Sequence, residues 1–336
     1  MHGWLDGRLV EGAEFAGSTA MRIAFHTLAA AQAARPGQSL FDAARAWAAA
    51  NGLRPTYEDW RVWTSFASQY YAGDPDRLGA TEFTEPTFDG DGQRLMYRVV
   101  EGYTALMRGI AGDLDVRLST PVRRIEWSPE GVRAETDAGG FEARHAIVTL
   151  PLALLQQGDV AFEPPLPAEK QRAVHGLGAG ANGKIILRFA ERMWPDDLTF
   201  LLSGGDTQLW WRPGRCRGDE APVITAFFGG SAVERFRSLG EDAPLAALRQ
   251  LEQILDCKLE SRLQEARFVD WPAEPFSKMS YSYIPPGGAG LRAALADPVD
   301  GVLHFAGEHT NPVRPATVHG AFESGVRAAG AVAKRA

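Results

Sequence analysis

Glu308 stands where a carboxylate can meet a ligand. It follows Val302-Leu303-His304-Phe305-Ala306-Gly307, an apolar run that reads as a buried parallel strand ending at glycine. With no side chain at Gly307, a ligand can approach the backbone. A helix opens around Thr317 with Val318-His319-Gly320-Ala321. Its free N–H groups favour an electron-rich or anionic ligand edge. A carboxylate at the carboxyl end of a strand, facing a helix start, is how open α/β sheets build cofactor pockets. The same residues also suit an ordinary strand–loop–helix with a surface glutamate. Lys184 is the second candidate. It follows Asn182-Gly183 and begins the apolar strand Ile185-Ile186-Leu187, where an ammonium is costly unless something uses it. The alternative is an edge lysine whose stem carries its head to solvent. His309 and His319 have no second histidine or paired carboxylate at metal-ligand spacing. Both read as structural hydrogen-bonding groups, and no metal site is expected.

The elements that position these residues follow from pattern. Ser18, Ser39 and Thr56 cap three successive helices, over 18–34, from Ser39 to about Asn51-Gly52, and from Thr56 onward. The third carries Trp60, Trp63, Phe66 and Tyr70 at helical spacing, a stripe that is more often plain core than ligand wall. Helical pattern returns at Tyr103 to Ile110. Short strands follow at Val116–Leu118, Val122–Trp127 and Val132–Thr136, then a strand from Phe141 to Leu150 whose end is apolar on both faces and so expected to be deeply buried. Phe162 to Pro167 is a rigid linker and Pro167 to Val174 a short helix. Lys184–Phe189, Leu198–Leu202, Gln208–Arg212 and Val223–Phe228 succeed one another with short connections, so an antiparallel sheet is expected. Residues 242–256 form an amphipathic helix, and Phe268–Trp271 a further strand. The fold class is therefore mixed α/β (α+β).

The chain has 336 residues, 45% hydrophobic and 23% charged, an ordinary globular balance large enough for two domains. A net charge of -7 gives no reason to expect nucleic acid or an anionic membrane as partner. No apolar run reaches membrane-span length, and Met1-His2-Gly3-Trp4-Leu5-Asp6 has no signal-peptide pattern. The two cysteines, Cys216 and Cys257, suggest no disulfide framework, and a reducing cytoplasm is the simplest setting.

Three stretches carry a resemblance. Phe305-Ala306-Gly307-Glu308-His309-Thr310, Pro315-Ala316-Thr317-Val318-His319-Gly320-Ala321 and Ser324-Gly325 resemble the C-terminal flavin-binding signature of the flavin-containing amine oxidases. The wording is closer to polyamine oxidases and lysine-specific histone demethylases than to animal monoamine oxidases. The resemblance implies FAD, with Glu308 on its ribityl–phosphate part and Thr317 and Val318 at the pyrimidine edge of the ring, so that the ligand expected at the Gly307 backbone is the cofactor. It also implies that Val122 contacts the adenine, and it matches Thr149 of Thr149-Leu150-Pro151 and Trp271 to positions near the cofactor. Lys184 would hold a water against flavin N5, and Tyr281 would be a cage tyrosine facing the ring and accepting an amine. Ala321 stands where a second cage aromatic occurs in monoamine oxidases, so the cage is half present. Ser280 stands where those enzymes attach flavin through cysteine, so FAD would be non-covalent. The implied activity is oxidation of a small-molecule amine to an imine, with hydride passing to FAD and peroxide released on reoxidation by oxygen. A catalytically silent binding module is the alternative.

The family's start does not match. Such oxidases begin with a strand, Gly-x-Gly-x-x-Gly, a helix and an acidic residue that binds ribose. Gly3, Gly7 and Gly12 are not so spaced and are read as following no strand; the Gly176–Gly183 cluster precedes a strand rather than opening a helix. The expectation is an incomplete Rossmann-like FAD domain (95–158 and 277–336) interleaved with a substrate domain (1–94 and 159–276). The chain would be a truncated or fragment form, or one whose FAD domain a partner chain or self-association completes.

Overall fold

The computed structural model describes residues 2–81, 99–214 and 221–334. Cys216 and the expected boundary at 94/95 lie outside them.

Among the described residues the largest sheet has seven strands. Their order is Leu263–Asp270, Asn182–Phe189, Val223–Gly229, Leu209–Trp211, Phe200–Ser203, His2–Leu5 and Arg8–Glu11. All neighbours are antiparallel except His2–Leu5, which runs parallel to Phe200–Ser203. Alternation along Asn182–Phe189 sends Ile185, Leu187 and Phe189 into a core shared with helices Ser231–Ser238 and Ala243–Leu255. Each such buried side chain stabilises the fold by ~1.5–3 kcal/mol. Lys184, Ile186 and Arg188 take the other face.

The helical segment covers that sheet beside the hairpin. Ser18, Ser39 and Thr56 cap as expected, and Thr56 forms a capping box with Asp59. The first helix breaks in two, Thr19–Phe25 and Thr27–Gln32, because His26 leaves helical geometry and its ring stacks on Trp47 at 4.7 Å. The hairpin at the chain start was not expected. Its turn, Asp6-Gly7, has positive φ at both residues, the two-residue geometry that joins twisted strands. Gly12 does follow a strand, contrary to expectation, but opens a helix of only five residues, Gly12–Ala16.

A second core lies around a four-stranded sheet, Gly139–Ala143, Gly131–Thr136, Val122–Ser128 and Ala161–Glu163, and a two-stranded parallel pair, Ala146–Val148 with Leu303–Phe305. Three expectations fail here. Residues 116–118 form no strand. The run from Phe141 breaks at Arg144-His145. Its end is not deeply buried, since Ile147 is 38% exposed. Among the described residues the parallel pair has only two members, so its outer edges are unpaired.

Candidate active site

The carboxyl ends of the parallel pair carry the first group of residues. Phe305 pairs with Val148 and the Ala306 N–H donates to the Val148 carbonyl at 3.0 Å, which puts Thr149 beside the turn into Gly307-Glu308. Gly307 has φ +130°, and a Cβ there would fall 2.4 Å from His309 Cε1. The space a side chain would need is taken by the His309 ring rather than left open to a ligand. Burial holds that imidazole below its ordinary pKa, with the Glu308 carboxylate opposing.

Glu308 ties two segments together. Its Oε1 accepts from the Ser282 N–H at 2.9 Å; its Oε2 accepts from Ser282 Oγ at 2.8 Å and from the Ala316 N–H at 2.8 Å. Tyr281 is the neighbour on one side and Thr317 on the other. Thr317 caps helix Val318–Ala333 by accepting from the Gly320 N–H at 3.0 Å and donates to the Arg314 carbonyl at 2.8 Å. Val318, the next residue, is 53% exposed.

Tyr281 is held from the helical segment. Its hydroxyl donates to the Tyr70 carbonyl at 2.7 Å and lies 3.4 Å from the Gln69 carbonyl. Asn182 Nδ2 donates to that same Gln69 carbonyl at 3.0 Å, while its Oδ1 accepts from Ser280 Oγ at 2.9 Å. The glycine run before Lys184 has a packing reason. A Cβ at Gly178 would meet the Tyr283 ring at 2.2 Å, and one at Gly180 would meet the Tyr281 carbonyl at 2.4 Å. The run is a close-approach surface for the 280–283 segment, not a phosphate turn.

Lys184 shares the face of its strand with Asn182. Its Nζ lies 5.8 Å from the Trp211 ring centroid and 5.6 Å from that of Phe227. Burial lowers its pKa below the usual lysine range. Val269 pairs with Lys184 and Asp270 with Gly183, so Trp271, which follows, sits at the end of that register; it is 42% exposed. Val122 stands apart. It opens its strand opposite Thr136 and packs on the core beneath the parallel pair.

A cavity of about 140 Å³ is lined among others by Tyr70, Tyr71, Tyr281, Ser282, Arg292 and Ala316; of the expected site residues it takes in Tyr281, while Lys184, Glu308, Thr317, Trp271 and Val122 lie outside its lining. The aromatic stripe therefore divides. Trp63 is core, whereas Tyr70 reaches the cavity. Sequence reasoning missed Ser282, Arg292, Ala316 and Tyr71. The one legible signal was Arg292, a lone charge in the apolar helix Leu291–Ala296.

The family model for flavin containing amine oxidoreductases matches residues 13–333. The chain belongs to that family. It is 34% identical over 250 residues to Lysine-specific histone demethylase 2 of Homo sapiens, covering 69% of this chain and 30% of the relative. It is 31% identical over 267 residues to Polyamine oxidase 2 of Arabidopsis thaliana, covering 77% of this chain and 53% of the relative. The chain thus spans about a third to a half of the length of these relatives. Among solved structures, cyclohexylamine oxidase from Brevibacterium oxydans superposes with TM-score 0.75 at 20% identity, over 99% of this chain and 80% of that one. Wild-type putrescine oxidase bound to putrescine superposes with TM-score 0.79 at 18% identity, over the same shares. These two likenesses speak to the fold, mixed α/β.

Family membership implies FAD. The residues present fit a flat heterocycle with a hydrogen-bonding tail. Glu308 is fixed at a strand end, a helix start lies beside it, and Trp271 and Val318 leave apolar surface exposed. No helix among the described residues is long and apolar enough to cross a membrane.

Proposed function

We propose that this flavin-family chain is an FAD-dependent amine oxidase acting on a small-molecule amine. When bound, FAD supplies the two-electron chemistry, taking hydride from the amine at N5 to leave an imine and returning the electrons to oxygen as peroxide. The chain's own residues place the reactants. Glu308 takes the ribityl–phosphate part, with Gly307 and Thr149 at the same strand end. Thr317 and Val318 face the ring edge from the helix start, Trp271 packs against it, and Val122 meets the adenine. Lys184 holds a water, and its depressed pKa makes its proton easier to give up. Tyr281 presents its ring to the substrate nitrogen while its hydroxyl is anchored on the Tyr70 carbonyl. Ser280 keeps its hydroxyl on the Asn182 side chain and offers no thiol, so the cofactor is non-covalent.

The observation that carries this reading is Glu308 clasped between Ser282, next to Tyr281, and Ala316, next to Thr317. The test is the visible spectrum of the purified chain with added FAD, followed by anaerobic titration with a panel of alkylamines and polyamines. A bound-flavin spectrum that bleaches with one of the amines is expected. A chain that stays colourless with excess FAD refutes it.

One observation favours a second reading. Helix Tyr103–Ala111 buries none of its residues, and Tyr103, Leu106, Met107 and Ile110 are exposed. Such a face suits a partner chain or a second copy, and a silent binding module would use it without flavin. We keep the division into a substrate domain (1–94, 159–276) and an FAD domain (95–158, 277–336), and a cytoplasmic setting, as parts of this proposal.

A further inference from the structure

Arg292 is 3% exposed and Ser282 2% exposed, so both polar groups lie inside the protein. The Arg292 Nη1 donates to Ser282 Oγ at 2.6 Å, and Nη2 donates to the Ser282 carbonyl at 3.1 Å. Guanidinium can only donate, so Ser282 Oγ accepts there. A hydroxyl carries a single hydrogen, and that hydrogen is left for Glu308 Oε2, 2.8 Å away. The charge itself stands near, with Arg292 Nη1 3.8 Å from Glu308 Oε2. Oε2 thus takes two donors and a neighbouring cation, whereas among the described residues Oε1 takes one donor, the Ser282 N–H, with His309 Nδ1 standing off at 4.0 Å, beyond hydrogen-bond reach. A carboxylate oxygen has two lone pairs, so Oε1 keeps acceptor capacity that Oε2 has used.

We infer that Arg292 is a positioning residue that, through Ser282, locks Glu308 in one orientation and leaves Oε1 as the oxygen that accepts a hydroxyl of the cofactor's ribityl chain. The inference rests on the flavin reading of Glu308 and adds to it the control of that carboxylate. The guanidinium acts twice, by directing the serine proton and by holding a negative charge beside it. Neither function needs contact between Arg292 and the cofactor.

The experiment is an FAD titration of the full chain, by flavin fluorescence quenching and visible absorption, for the unaltered protein, Ser282→Ala, Arg292→Met and Arg292→Lys, with Tm of each apo protein. Losing a hydrogen bond to a charged group weakens binding by about 10- to 100-fold. That loss is expected for Ser282→Ala and Arg292→Met, with partial recovery in Arg292→Lys, which restores a donor and the charge. If Arg292→Met fails to fold, Ser282→Ala decides, because it keeps the backbone donor and removes only the directed proton. Unchanged affinity in Ser282→Ala, or a lysine variant no better than methionine, overturns the inference while the flavin reading stands. No binding by the unaltered chain overturns both.

Discussion

Two lysines of this chain are held away from water and end in different roles. Lys170 donates to the carbonyls of Ala294 and Leu295 at 2.8 and 2.9 Å and to that of Asp297, capping the helix that carries Arg292. Its Nζ also lies 4.5 Å from the Phe305 ring centroid. Burial lowers its pKa from 10.5 to about 8. Between those values the unfolded chain binds the proton more tightly, so stability from this group rises with pH from about 8 to 10.5. Denaturant unfolding of the unaltered chain and Lys170→Met should therefore diverge in favour of lysine across that window; a constant difference would remove the buried charge from the account. Among the described residues Lys184 has no such carbonyl nest, and burial lowers its pKa too. Lys184→Met should leave FAD affinity unchanged and slow anaerobic flavin reduction by roughly 10²-fold or more, measured by stopped flow. Lys170 sits in the polar run Glu169-Lys170-Gln171-Arg172 and Lys184 before the apolar Ile185-Ile186-Leu187, and only three-dimensional surroundings show that both are held away from water.

Elements were legible where the signal is local. Ser18, Ser39, Thr56 and Thr317 each precede a helix and each accepts a backbone N–H in the first turn. Thr317→Ala should cost ~1 kcal/mol by thermal unfolding. It should also weaken FAD binding, since the cap fixes the turn that holds Ala316 against Glu308. The hairpin at Asp6-Gly7 was equally local, and the two-residue turn signal stood in plain sight. What sequence could not give was burial that depends on distant partners. Ile147 reads as core by composition but is 38% exposed, on the face of its strand opposite Val148, which packs into the core. Ser282, Arg292 and Ala316 have no shared spacing and meet only because Glu308 lies between their segments. The glycines at 178 and 180 looked like a phosphate loop, and their purpose became plain with the Tyr283 ring in place. Gly178→Ala should overpack that ring and cost ~1–3 kcal/mol in denaturant unfolding; full stability would mean Tyr283 can move aside.

At the scale of the molecule, apolar surface remains on the side of helix Tyr103–Ala111 and on helix Val318–Ala333, where Val318, Phe322 and Val326 are exposed. Stripes of this kind favour association. Leu106→Glu with Ile110→Lys should shift the chain toward monomer in sedimentation velocity at unchanged Tm, while an unaltered distribution would clear this face of any part in assembly. The last carbonyls of helix Tyr57–Tyr71 have a wider reach than their size suggests. The phenol of Tyr281 rests on the Tyr70 carbonyl and the amide of Asn182 on the Gln69 carbonyl next to it, so the 280–283 segment and the strand that carries Lys184 are both tied to one helix end. Anything that pries up the end of helix Tyr57–Tyr71 must tug on both segments together. Deuterium uptake at 69–72 and 180–183 should then rise and fall in step when an occupant enters.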